Sequence, residues 1–140
     1  MDLRVGAYAV IVDDERRVLL SRWIEGTRPT WTLPGGGMDP GEHPEATVRR
    51  EVHEETGYDV AVERLLGVDS SVVPARKRLT GEGPLQLLRI VYTARITGGT
   101  LTHEIDGSSD MADWFPLDRV RGLERVASVD HGLRMAGLLP

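Results

Sequence analysis

The sequence predicts an α/β fold in which a mixed β-sheet carries helices on both faces. Two observations predict it: strand-like runs alternate with polar turns along most of the chain, interrupted by one well-bounded helix over residues 43–56, and the tail after residue 117 changes to helical spacing. Residues 5–12 (VGAYAVIV) are rich in β-formers, residues 13–16 are a polar turn, and 17–23 (RVLLSRW) resume the extended pattern, so the three read as a hairpin. Residues 31–34 add a short strand ahead of three glycines. After the helix, 59–68 read as a strand, 85–96 (LQLLRIVYTARI) as the clearest long strand, and 113–117 (DWFPL) as a short last one. Spaced apolar residues broken by charges predict a short helix over 117–123 and a longer one over 125–139. The loops at 27–30, 74–84 and 98–111 collect much of the Gly, Pro and Ser, and none is long enough to be a linker. One domain over residues 1–140 is therefore expected.

Composition narrows the function. A formal net charge of −5 offers no general attraction to nucleic acid or to an anionic membrane, so an anionic substrate would need local cations. With zero cysteines there is no disulfide framework and no thiolate chemistry. The opening MDLRVGAYAVIVDDE has no signal-peptide pattern, and no apolar run approaches a membrane span, so a soluble cytoplasmic protein is expected.

The central helix carries an anomaly. Pro44 near its start and Gly57 at its end are ordinary start and stop signals. Its last turns hold Glu51, Glu54 and Glu55, at the end of the helix dipole that disfavours carboxylates, and Glu51 and Glu55 are a like-charged pair four residues apart. Residues three and four apart share a helix face, so the three can aim oxygens toward a common volume. A hard divalent cation such as Mg²⁺ takes oxygen ligands of this kind and leaves room for water and substrate phosphate. A merely solvated charged face is the plain alternative. The preceding context argues against it, because Gly35, Gly36 and Gly37 let backbone approach a ligand and Gly41 permits a further sharp turn.

Taken together, Gly36, Glu42, Arg50, Glu51, Val52, Glu54, Glu55 and Gly57 stand at the intervals of the Nudix box: G, five residues, E, seven residues, then R-E-apolar-x-E-E-x-G-apolar. The stretch from Gly36 to Tyr58 resembles that motif, with Tyr58 a bulky, partly polar occupant of its last apolar slot. The resemblance implies an α/β/α sandwich and a Mg²⁺-dependent hydrolase, with Mn²⁺ as a substitute, acting on a nucleoside diphosphate linked to another group. It implies metal ligation by Glu54, Glu55 and the carbonyl of Gly35 or Gly36. Glu51 would bind a further metal or accept a proton from the attacking water, Arg50 would orient neighbouring carboxylates, and Glu42 would support the site. His43 and His53 have no counterpart and read as capping or surface residues. In similar proteins a further acid comes from a loop shortly before the last strand. The position that aligns most directly here is Ser108, which leaves Glu104, Asp106 and Asp110 as candidates, with Glu104 and Asp110 ahead.

No phosphate-loop signature and no nucleophile elbow is present, so activated water is the expected nucleophile. Some proteins similar to these enzymes bind nucleotides without turnover, and an inactive sensor is the alternative reading. That class commonly lacks one or more box carboxylates; this chain has all of them. Tyr8, Arg22, Trp23, Arg28 and Trp31 are candidate base or phosphate contacts, with packing or surface roles as their alternative. Arg76, Lys77 and Arg78 form a short basic run. Pro74, sixteen residues beyond Tyr58, resembles the proline of ADP-ribose pyrophosphatases. ADP-ribose-like sugars and nucleoside triphosphates are ranked equally as substrates. The expected partners are a small nucleotide and at most a second copy in a homodimer, with neither nucleic acid nor membrane.

Overall fold

Seven strands form in a computed structural model that describes residues 1–139: β1 (Asp2–Val10), β2 (Arg17–Trp23), β3 (Thr30–Thr32), β4 (Gly35–Gly37), β5 (Tyr58–Val73), β6 (Leu85–Gly99) and β7 (Ser109–Pro116). Helix α1 (Pro44–Thr56) follows β4, and α2 (Ala127–Met135) lies near the end of the chain. Short 3₁₀ turns cover Ala75–Lys77 and Leu117–Gly122. The tail is thus less helical than its spacing predicts: 117–122 is a 3₁₀ turn, and α2 stops at Met135, four residues short of the expected end. Among the described residues no helix is long and apolar enough to cross a membrane.

The strands form two sheets. A four-stranded mixed sheet runs β4-β1-β6-β5, with β1 and β6 parallel, and a three-stranded antiparallel sheet runs β3-β2-β7. The expected hairpin of 5–12 and 17–23 is therefore only a beginning. Asp13 bonds to Arg17 and Leu19 to Ile11 across the turn, and the two strands then part into different sheets. One core cluster packs Val48 and Val52 of α1 against Ala7, Ala9, Leu19 and Tyr92. A second, with Leu33, Val91, Val129 and Leu133, seats α2. Helices consequently cover opposite sides of the mixed sheet.

The short strand β4 is the element that positions the site. Gly35 pairs with Tyr8 and Gly36 with Ala7, laying bare backbone along the edge of β1. Gly35 has φ 151°, and a Cβ there would stand 2.6 Å from the Tyr8 Cα and inside contact distance of the Ala7 carbonyl oxygen. Neither neighbour is a flexible side chain, so no rotamer change relieves the clash. Gly35→Ala should lower unfolding stability by roughly 3 kcal/mol or more, read from urea denaturation.

Candidate active site

Helix α1 starts where His43 accepts the Glu45 N–H at 3.1 Å and ends where Gly57, at φ 80°, returns its N–H to His53. His53 lies beside Asp59 on the surface. Both histidines thus have the capping and surface roles expected of them. The apolar Val48 and Val52 face the sheets, which turns Glu51 and Glu55 toward β4 and leaves Glu54 at the rim. Tyr58 fills the last apolar slot edge-on to Trp114, and its hydroxyl accepts the indole N–H at 3.1 Å instead of remaining in water.

Glu55 is 3% exposed. One carboxylate oxygen accepts the Gly35 N–H at 3.0 Å and the other accepts the Ser21 hydroxyl at 3.2 Å. Two neutral donors do not offset the loss of solvent, so burial pushes the carboxyl well above its ordinary range, and the charges of Glu51 and Glu104 add to the shift. Burial also raises Glu51, against the opposing pull of Arg50.

Arg50 is the organiser of the other side. It donates to both oxygens of Glu42 at 2.8 and 2.9 Å, to Glu51 at 2.9 Å and to the Gly37 carbonyl at 3.1 Å, and it lies 3.6 Å from Glu54. Its guanidinium thereby ties the helix to the glycine strand, a planar five-donor task that lysine cannot copy. Glu42 also receives the Thr47 hydroxyl and the Asp39 N–H. Arg50 foremost, and then these bonds, hold its carboxyl down at about 2, against an ordinary 4.5. A lowered folded-state pKa stabilises the protein above the unfolded value and loses that contribution as pH falls through the folded one. Wild type should therefore out-melt Glu42→Gln at pH 7, and the gap should close between about pH 4.5 and 2, as followed by circular dichroism without added metal.

The three box carboxylates do not meet in one cage. Among the described residues no three acidic or histidine side chains cluster closely enough to hold a metal by themselves. Glu55 is drawn to Ser21 and Gly35, Glu51 is held by Arg50, and Glu54 is 46% exposed. A pre-formed cage of three carboxylates would be destabilised by mutual repulsion. What faces the cleft is an all-oxygen set of Glu51, Glu55 and backbone at Gly35–Gly37, the donor chemistry of a hard ion that keeps several waters and takes its remaining ligands from phosphate. The residues present fit Mg²⁺.

The cleft itself holds about 280 Å³ and is bordered by Tyr8 and Trp23 as well as by the box residues. The other candidate contacts turn elsewhere. Arg28 pairs with Glu124, Trp31 packs edge-on to Phe115, and Arg22 lies over Trp31 while gripping Asp110 at 2.8 and 2.9 Å. Arg78 pairs with Asp2 and donates to the carbonyls of Glu82 and Gly83, tying down its own loop. Pro74 caps the 3₁₀ turn of residues 75–77. Of the loop acids, Asp110 is engaged by Arg22. Glu104 accepts the Ser109 N–H at 3.0 Å and its hydroxyl at 2.7 Å, and its charge is felt at both Glu51 and Glu55. Ser108 borders the cleft. Sequence reasoning passed over Ser21 and Ser109, because a serine inside a strand carries no signal until its partner is known.

Known proteins share this fold. A human protein described as an 8-oxo-dGDP phosphatase is 36% identical over 131 residues, a match that takes in 91% of this chain and 37% of that protein, so this chain spans well under half of the relative's length. A solved MutT NUDIX hydrolase from Burkholderia pseudomallei superposes with TM-score 0.76 at 30% identity, over 96% of this chain and 98% of that one. A NUDIX hydrolase from Nitrosomonas europaea gives TM-score 0.81 at 25% identity, over 97% and 89%. A family model described as the NUDIX domain matches residues 2–133, a span that takes in the whole of the box, and the chain belongs to the Nudix family.

Proposed function

We propose that this chain is a single catalytic domain that hydrolyses a phosphoanhydride bond in a nucleoside diphosphate linked to another moiety, with ADP-ribose-like sugars and nucleoside triphosphates as the substrate classes. Glu51, Glu54, Glu55 and the carbonyl of Gly35 or Gly36 would hold Mg²⁺, or Mn²⁺ in its place. The observation that carries this reading is Glu55: a carboxylate 3% exposed, bordering a cleft beside bare glycine backbone, with no cationic side chain bonded to it among the described residues. A bound divalent ion would neutralise phosphate oxygens and lower the pKa of a coordinated water.

The chain's own groups do the positioning. Arg50 fixes Glu51 relative to the Gly37 carbonyl, and the Gly35 N–H and Ser21 hydroxyl fix Glu55. Glu104, oriented by two bonds from Ser109, is assigned the general base. It takes the proton from water as the water oxygen bonds to phosphorus and the bridging P–O bond breaks, leaving two products that each end in phosphate. Asp110 is set aside for that role because Arg22 occupies both its oxygens.

The test is a panel of 8-oxo-dGDP, nucleoside triphosphates, ADP-ribose and dinucleoside polyphosphates, assayed for phosphate or nucleotide release with Mg²⁺ and with chelator. Metal-dependent release from at least one member is expected. Tight binding across the panel with no turnover would replace this reading with that of a nucleotide sensor.

A further inference from the structure

Among the described residues Arg4 is a cation without a partner, at a place where substrate charge would lie. Its guanidinium is laid against Gly37, so that a Cβ built there would stand 2.9 to 3.4 Å from its Nη2, Nε and Cζ atoms. It borders the same cleft as Glu51 and Glu55. Among the described residues it forms no ion pair and no side-chain hydrogen bond. The acid nearest in sequence, Asp2, is taken by Arg78. Arg89, the other arginine of the cleft, is already committed: it donates to the Ser71 hydroxyl at 3.0 Å and lies 3.5 Å from Asp69, which His131 also approaches. In a chain of net charge −5, an unpaired guanidinium over the glycine strand is the local cation that an anionic substrate requires.

Its placement along β4 says which part of a substrate it would meet. Gly35 touches Glu55, whereas Gly37 lies two residues further along an extended strand, about 7 Å away. A diphosphate engaged beside Glu51 and Glu55 would thus present to Arg4 the group attached beyond it. Tyr8 borders the cleft, and its hydroxyl stands 3.3 Å from where a Cβ would sit on Gly6, the residue paired with Gly37, adding a donor to the same end.

Resting on the hydrolase reading above, we propose that Arg4, with the Tyr8 hydroxyl beside it, binds a charged phosphate beyond the scissile anhydride, so that the cleft selects phosphate-terminated nucleotides over nucleoside diphosphates closed by a neutral sugar. Arg4 is a specificity-determining residue. A guanidinium grips phosphate oxygens in bidentate fashion and gains little from a sugar hydroxyl.

The experiment compares wild type, Arg4→Ala and Arg4→Lys in steady-state hydrolysis of dGTP and ADP-ribose with saturating Mg²⁺, and in equilibrium binding of both by calorimetry. Arg4→Ala should raise KM and Kd for dGTP by ten- to a hundredfold, with a loss for ADP-ribose at least fivefold smaller. Arg4→Lys should restore part of the dGTP affinity, and the salt dependence of dGTP binding should flatten in Arg4→Ala. Equal losses for the two ligands, or dGTP binding within twofold of wild type, would overturn the assignment. If wild type turns over no member of the panel above, the hydrolase reading fails, and the binding contrast still decides the role of Arg4.

Discussion

Glu55→Gln should cost turnover by at least about a hundredfold while raising the melting temperature in metal-free buffer at pH 7. The loss of rate follows from removing a ligand charge whose stabilisation of the reacting phosphate is several kcal/mol, each 1.36 kcal/mol being about tenfold. The gain in stability has a separate cause. Burial raises the Glu55 carboxyl, so above the ordinary 4.5 the unfolded chain ionises while the folded one still holds its proton, and stability falls as pH rises from there through the folded-state value. A glutamine removes that penalty and can keep both bonds: its carbonyl accepts the Gly35 N–H, and its amide donates to the Ser21 oxygen after the hydroxyl rotates. Added Mg²⁺ should stabilise wild type and leave the variant's melting point nearly unmoved. A variant that melts below wild type in chelator at pH 7, or that turns over at near-normal rate, would remove Glu55 from the metal site. Glu54→Gln should lose rate in the same direction with little effect on melting, since its side chain is 46% exposed.

The opposite shifts of Glu42 and Glu55 arise on one helix and its leading loop, from a difference in partners. Glu42 is given a guanidinium fork and two further donors; Glu55 is given two neutral donors and no solvent. That contrast is where the sequence was readable and where it was not. Pro44, Gly57 and the spacing of Glu42, Arg50, Glu51, Glu54 and Glu55 are local, so they could be read directly as a helix with a misplaced charge cluster. Strand β4 could not be read, because three glycines carry no side-chain period and their pairing is decided by β1. Strands β5 and β6 run longer than expected, to Val73 and Gly99, and register shifts at Asp59/Val60, Val62/Arg64 and Leu65/Gly67 interrupt their pairing. The parting of the 5–23 hairpin into two sheets leaves no local trace either. Asp110 and Arg22 are 88 residues apart, and nothing in either neighbourhood foretells their pairing.

That pairing separates the two loop acids as candidates for the base, and Glu104→Gln should reduce kcat by roughly a hundredfold or more while leaving KM within about threefold, because proton abstraction is felt in the transition state and little in binding. Glutamine keeps the volume and one acceptor for Ser109 but cannot take a proton from water. Asp110→Asn should cost less than threefold, since its carboxylate spends both oxygens on Arg22. Ser109→Ala offers a finer test. It removes the 2.7 Å hydroxyl bond and keeps the backbone one, so Glu104 should be less well aimed, and kcat should fall by an intermediate factor with KM again little changed. If Glu104→Gln keeps the wild-type kcat, Glu104 is not the base. Glu51, which Arg50 holds beside the glycine strand, or a metal-bound hydroxide then becomes the better candidate.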